Sequence, residues 1–73
     1  MSITKTIRLS GSSPDSLEDA VHVVIARAAM TISDITHWTL VKARGKVDSS
    51  GAPTDFEVTL DITFTVKESV DHG

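Results

Sequence analysis

The chain has 73 residues, no cysteine, a formal charge of -3 and 40% hydrophobic residues. That length allows one domain with a marginal core, and chains below about 70 to 80 residues usually call for staples or partners; with disulfides and thiolate metal sites excluded, self-association is the device that remains. The negative charge speaks against a general nucleic-acid binder, no apolar run approaches the roughly 20 residues of a membrane span, and Met1 to Ser10 lacks the apolar core of a signal peptide, so a cytoplasmic protein is expected.

Thr4 to Leu9 reads as a short strand, with Ile7 and Leu9 on one side and Thr6 and Arg8 on the other. The cluster Ser10-Gly11-Ser12-Ser13-Pro14 should stop it. Ser13, Pro14 and Asp15 supply a hydroxyl cap, a first-turn proline and an acid at the positive end of the dipole, so a helix is expected to begin there. Leu17, Ala20, Val21, Val24, Ile25, Ala28 and Ile32 then fall on one helical face. A second stripe, Val23, Ala26, Ala29 and Met30, lies beside it. It suits either a contact with another subunit or simple helix propensity. Ser33 and Asp34 should end the helix.

A second strand runs from about Thr36 to Val47, and its apolar parity switches in the middle. A β-bulge near Leu40 to Lys42 would keep Trp38, Leu40, Ala43 and Val47 towards the helix, leaving His37, Thr39, Lys42, Arg44 and Lys46 outward. Without a bulge, Trp38 would face outward with the basic residues. Asp48 to Pro53 is a turn cluster that makes a hairpin with the third strand, Asp55 to Lys67. There Phe56, Val58, Leu60, Ile62, Phe64 and Val66 alternate without interruption against polar residues. The order strand, helix, strand, strand puts this last strand at the centre of a wholly antiparallel sheet. The expected fold is α+β, a β-α-β-β unit with one amphipathic helix packed on three strands. Residues 1 to 67 form its single domain, and residues 68 to 73 read as a disordered tail.

Gly11-Ser12-Ser13-Pro14-Asp15 before the helix, Ala26-Arg27-Ala28 within it, Trp38 early in the second strand, Arg44-Gly45 further along it, and Phe56, Val58 and Phe64 in the third strand form an ordered set covering nearly the whole chain. In that order and at that length the chain resembles a dodecin. The resemblance implies a hollow homododecamer that stores flavin, FMN or riboflavin, without catalysis or a metal. Paired flavins would lie at twofold contacts between Trp rings, with a Gln bonding the pyrimidine edge. The position of that Gln falls on Glu57 here, and an ionised carboxylate only accepts hydrogen bonds. The spacing from Trp38 to Arg44 is one shorter than in flavin-binding dodecins that carry the same Arg-Gly pair. Aligned on Arg44-Gly45, His37 takes the stacking position and Trp38 falls on the helix side.

The candidate cofactor-binding residues are therefore Trp38, His37, Glu57 and Arg44. Trp38 is either a stacking platform or a core residue; His37 either stacks on a ligand and senses pH or is simply exposed. The row Lys42, Arg44 and Lys46 suits the phosphate of FMN or coenzyme A, or an ordinary solvated strand face. Glu57 and Asp61 share the polar face but lack a third spaced ligand for a cation. No G-x-S-x-G, H-E-x-x-H or phosphate loop is present, so no enzyme is expected. Two functions remain: flavin storage at subunit contacts, or a dodecin-fold assembly that does not hold flavin in the usual way or takes another small ligand.

Overall fold

The computed structural model describes residues 3–66; the tail expected at residues 68 to 73 lies outside them. Strand β1 (Ile3–Ser13) is followed by helix α1 (Leu17–Ala29), strand β2 (Ile35–Val47) and strand β3 (Pro53–Val66). The sheet order is β1-β3-β2, antiparallel at both pairings. The β-α-β-β fold and the central third strand are those expected from the chain.

Paired residues in an antiparallel ladder share a face. Ile7 opposes Ile62, Leu9 opposes Leu60, and Gly11 opposes Val58. Across β3, Trp38 opposes Ile62, Leu40 opposes Leu60, and Ala43 opposes Val58. These form the helix side of the sheet. Ala20, Val24 and Ala28 of α1 pack there on the fully buried Val58, Leu60 and Ile62, with Ile7, Leu9, Val21, Ile25, Ile32 and Ile35 around them. Full burial of a side chain such as Leu60 stabilises by about 1.5–3 kcal/mol. Hence the alternation of β3 is the spine of the core.

Three expected boundaries move. The first strand continues past Leu9 to Ser13, because Ser10 to Ser13 stay paired with Thr59 to Phe56. Gly11 serves close packing in this strand and does not turn the chain, since a Cβ there would stand 2.5 Å from Val24 Cγ2. The N-cap is Ser16, not Ser13: its extended backbone (φ -165, ψ 165) and its Oγ, which accepts from the Asp19 amide at 3.0 Å, set the first turn. Ser13 instead braces the approach. It is buried, accepts from the Asp15 amide at 3.0 Å and donates to Asp19 Oδ2 at 2.6 Å. At its other end α1 stops at Ala29, with the amides of Thr31 and Ile32 both donating to the Ala28 carbonyl in a tight final turn.

The helix covers β1 and β3 and leaves most of β2 bare. Thus Trp38, Leu40 and Val47 remain exposed on the apolar side of the sheet. The radius of gyration is 16.0 Å, against about 11 Å for a compact chain of this length. The chain is extended, with apolar residues of β2 left uncovered. Among the described residues no helix is long and apolar enough to cross a membrane.

Candidate ligand site along the second strand

The pairing of β2 with β3 shifts between Leu40 and Lys42, where Val41 is the extra residue. This is the bulge that the parity switch requires. It reverses the side on which later residues emerge, so Trp38, Leu40 and Ala43 share the helix side while His37, Thr39, Lys42 and Arg44 lie on the other face, opposite Thr63, Asp61, Thr59 and Glu57. A second shift near Thr36 and a third beside Asp55, whose φ is 50, bend the ladder at its two ends. Aspartate tolerates that left-handed backbone better than most residues.

Trp38 takes the face that the bulged register assigns it. It is on the helix side, yet 50% exposed, because α1 does not extend over β2. A core Trp38 within a single chain is therefore corrected to a ring on an open apolar ledge. Further along that ledge, Leu17 of α1 faces Ala43, Val47, Pro53, Thr54 and Phe56 across a groove of about 260 Å³.

His37 is exposed on the opposite face. Its Nδ1 lies 2.9 Å from Thr36 Oγ1, and Thr36 Oγ1 donates to the Thr63 carbonyl at 3.3 Å. Adjacent strand residues emerge on opposite faces, so His37 and Trp38 are two rings at one place on an edge strand, one for each side of the sheet. They do not form a single pocket within the chain.

The remaining candidates sit about half a strand away. Arg44 Nε lies 3.2 Å from Glu57 Oε1 in an exposed pair, and such pairs contribute little to stability. Its chemical effect is larger: it sets a positive charge directly against the Glu57 carboxylate. Ser12, Gly45, Lys46 and Asp55 line a shallow groove beside this pair.

The polar face of β1 and β3 is tied by a cross-strand ladder that the sequence reading did not pick out. Thr6 and Thr63 hydroxyls meet at 2.9 Å, as do Ser10 and Thr59. Between them Arg8 donates from Nε to Asp61 Oδ1 at 2.8 Å and from Nη2 to Asp61 Oδ2 at 3.1 Å. The hydrogen bond from Arg8, aided by its charge, lowers the Asp61 pKa. Strand register, available only once β1 and β3 are aligned, was the missing signal.

Fold and site together define a small α+β domain whose ring-bearing edge strand is covered on neither face. The Dodecin family profile matches residues 3–67. The chain is 31% identical over 67 residues to the calcium dodecin of Mycobacterium tuberculosis, covering 92% of this chain and 93% of the relative. It is 27% identical over 67 residues to the dodecin of Thermus thermophilus, covering 92% and 96%. A crystal structure of a point mutant of the Thermus thermophilus dodecin superposes with a TM-score of 0.85 at 26% identity, covering 94% of this chain and all of that one. The chain belongs to the dodecin family.

Proposed function

We propose that this protein is a non-catalytic, self-associating carrier of a planar ring ligand, flavin as FMN or riboflavin, held where copies meet along β2 in a homododecamer in the cytoplasm. The observation that carries the proposal is the exposed pair His37 and Trp38 on an edge strand. An indole half in water beside an uncovered apolar ledge calls for a covering partner, and rings brought together from several copies would form a stacking site that one chain lacks. Arg44, with Lys42 and Lys46 on the same strand, supplies positive charge for an FMN phosphate; coenzyme A would draw on the same row.

A second function, an assembly that does not hold flavin in the usual way, is favoured by the Arg44 and Glu57 pair. A flavin edge presents both carbonyls and an N–H, and Glu57 can answer only the N–H while it remains a carboxylate. The name of the Mycobacterium relative raises calcium as another ligand. On this chain Glu57 and Asp61 each face an arginine, which makes them poor cation ligands.

Mixing the protein with riboflavin or FMN and following flavin emission separates the two functions. Stacking on an aromatic ring quenches it, and unchanged emission at high protein concentration would falsify the flavin function. Light scattering after size exclusion checks assembly: a mass near the 7.8 kDa monomer would refute the dodecamer.

A further inference from the structure

The hydroxyl of Thr36 has one hydrogen, and Thr36 Oγ1 meets two partners: the Thr63 carbonyl at 3.3 Å and His37 Nδ1 at 2.9 Å. A carbonyl can only accept. For both contacts to be hydrogen bonds, Thr36 must donate to Thr63 and His37 Nδ1 must donate to Thr36. In that hydrogen-bond pattern three properties of His37 go together. The neutral ring carries its proton on Nδ1. Its plane is tethered to the β3 backbone through Thr36. Its Nε2, with a bare lone pair, is turned away from that tether. Thr36 itself is the extra residue at the first register shift of β2, so the irregularity in the ladder is what puts a hydroxyl within reach of both partners.

We infer that His37 is the proton-controlled contact of the ligand site and that Thr36 is its positioning residue. This rests on the planar-ligand function proposed above and specifies which ring governs it. A neutral imidazole held in a fixed plane is a suitable platform for an electron-poor ring. Protonation at Nε2 places a positive charge against that ring and draws water to the imidazole, so stacking weakens. A protonated His37 keeps its Nδ1 bond to Thr36, and therefore the switch changes charge without moving the platform. The charged surroundings are sparse among the described residues. On the sheet face, β3 offers Asp61, already held by Arg8 of β1, while the nearest positions on β1 and β3 are Thr6 and Thr63. Lys42 is further along β2, and Asp34 lies just before the strand. Helix α1 packs on the opposite face.

Uncharged riboflavin is the appropriate probe, because the phosphate of FMN would itself attract a protonated imidazole. Fluorescence measurements on the intact protein at pH 8 and at pH 5 should show affinity falling roughly tenfold at the lower pH. His37→Phe should alter riboflavin affinity at pH 8 and remove the pH dependence of the binding that remains. Thr36→Val should weaken binding several-fold at pH 8 in the His37 background and change nothing further in the His37→Phe background; a merely structural loss would appear in both. Nitrogen NMR of the imidazole should show the Nδ1–H form in the unliganded protein and a mixture in Thr36→Val. Riboflavin binding with the same affinity at pH 5 and pH 8, or pH dependence surviving in His37→Phe, would overturn the inference and leave flavin binding standing. Absence of quenching at every pH would overturn both.

Discussion

Gly11 lies directly beneath Val24, so close that a β-carbon at Gly11 would stand 2.5 Å from Val24 Cγ2. This contact lets α1 sit down on β1 and brings Ala20, Val24 and Ala28 onto the sheet. Gly11→Ala must push the helix away or force Val24 off its rotamer, a destabilisation of about 1–3 kcal/mol. Urea unfolding measures it. Combining Gly11→Ala with Val24→Ala should recover part of the loss, and strictly additive losses would show that the two do not touch.

The helix start is tested at Ser16. Removing its cap with Ser16→Ala should cost about 1 kcal/mol, because the Asp19 amide loses its acceptor. Pro14→Ala, which lies outside the helix, should change stability much less. Equal losses in thermal melts would return the cap to the Ser13 to Pro14 segment.

The centre and the edge of the sheet should respond differently in the monomer. Leu60, fully buried, should cost about 2–5 kcal/mol on truncation to alanine. Leu40, its neighbour on β2, is 45% exposed and should cost clearly less unless a second copy covers it. The difference between the two losses, measured at concentrations below and above assembly, reports how much of the β2 ledge a partner buries.

Trp38 is the single tryptophan, so its emission has one source. A half-exposed indole emits at long wavelength, and covering the ledge should shift it to the blue as protein concentration rises. A maximum that stays constant while light scattering shows assembly would place Trp38 outside the contact.

Asp61 makes an acid-side prediction. Arg8 lowers the Asp61 pKa in the folded chain, so the unfolded chain binds the proton more readily. The resulting stability is present above the ordinary carboxylate pKa and is lost as pH falls through the lower, folded value. The partner shift, a raised Arg8 pKa, acts only in strong alkali. Melting temperature against pH should therefore fall less steeply in acid for Arg8→Ala than for the wild type, and parallel acid limbs would refute the pairing. Asp48 behaves in the same direction. The hydroxyl of Ser50 and the amides of Ala52 and Ser50 lower its pKa, so Ser50→Ala should flatten part of the same limb.

Local rules decided what short spacing governs. The six apolar positions of β3 follow a period of two and α1 follows its helical stripe, because side-chain direction along an element depends only on backbone geometry. The Val41 bulge was legible too, since Trp38 and Leu40 fall out of phase with Ala43 and Val47 in the sequence itself. The helix cap was also written there: Ser16 stands three residues before Asp19, a capping pattern that the proline two positions earlier obscured.

Tertiary structure decided the rest. Whether Gly11 turns the chain or admits Val24 depends on where α1 returns. The pairing of Arg8 with Asp61 needs the β1 and β3 register. The tether from His37 through Thr36 to Thr63 needs a ladder irregularity across two strands. Above all, the pattern of Trp38 assigns it to the apolar side of the sheet, and only the narrow span of a single helix leaves it half in water. Alternation specifies a face. Burial depends on whether another element is wide enough to cover that face, and one helix covers β1 and β3 but not β2.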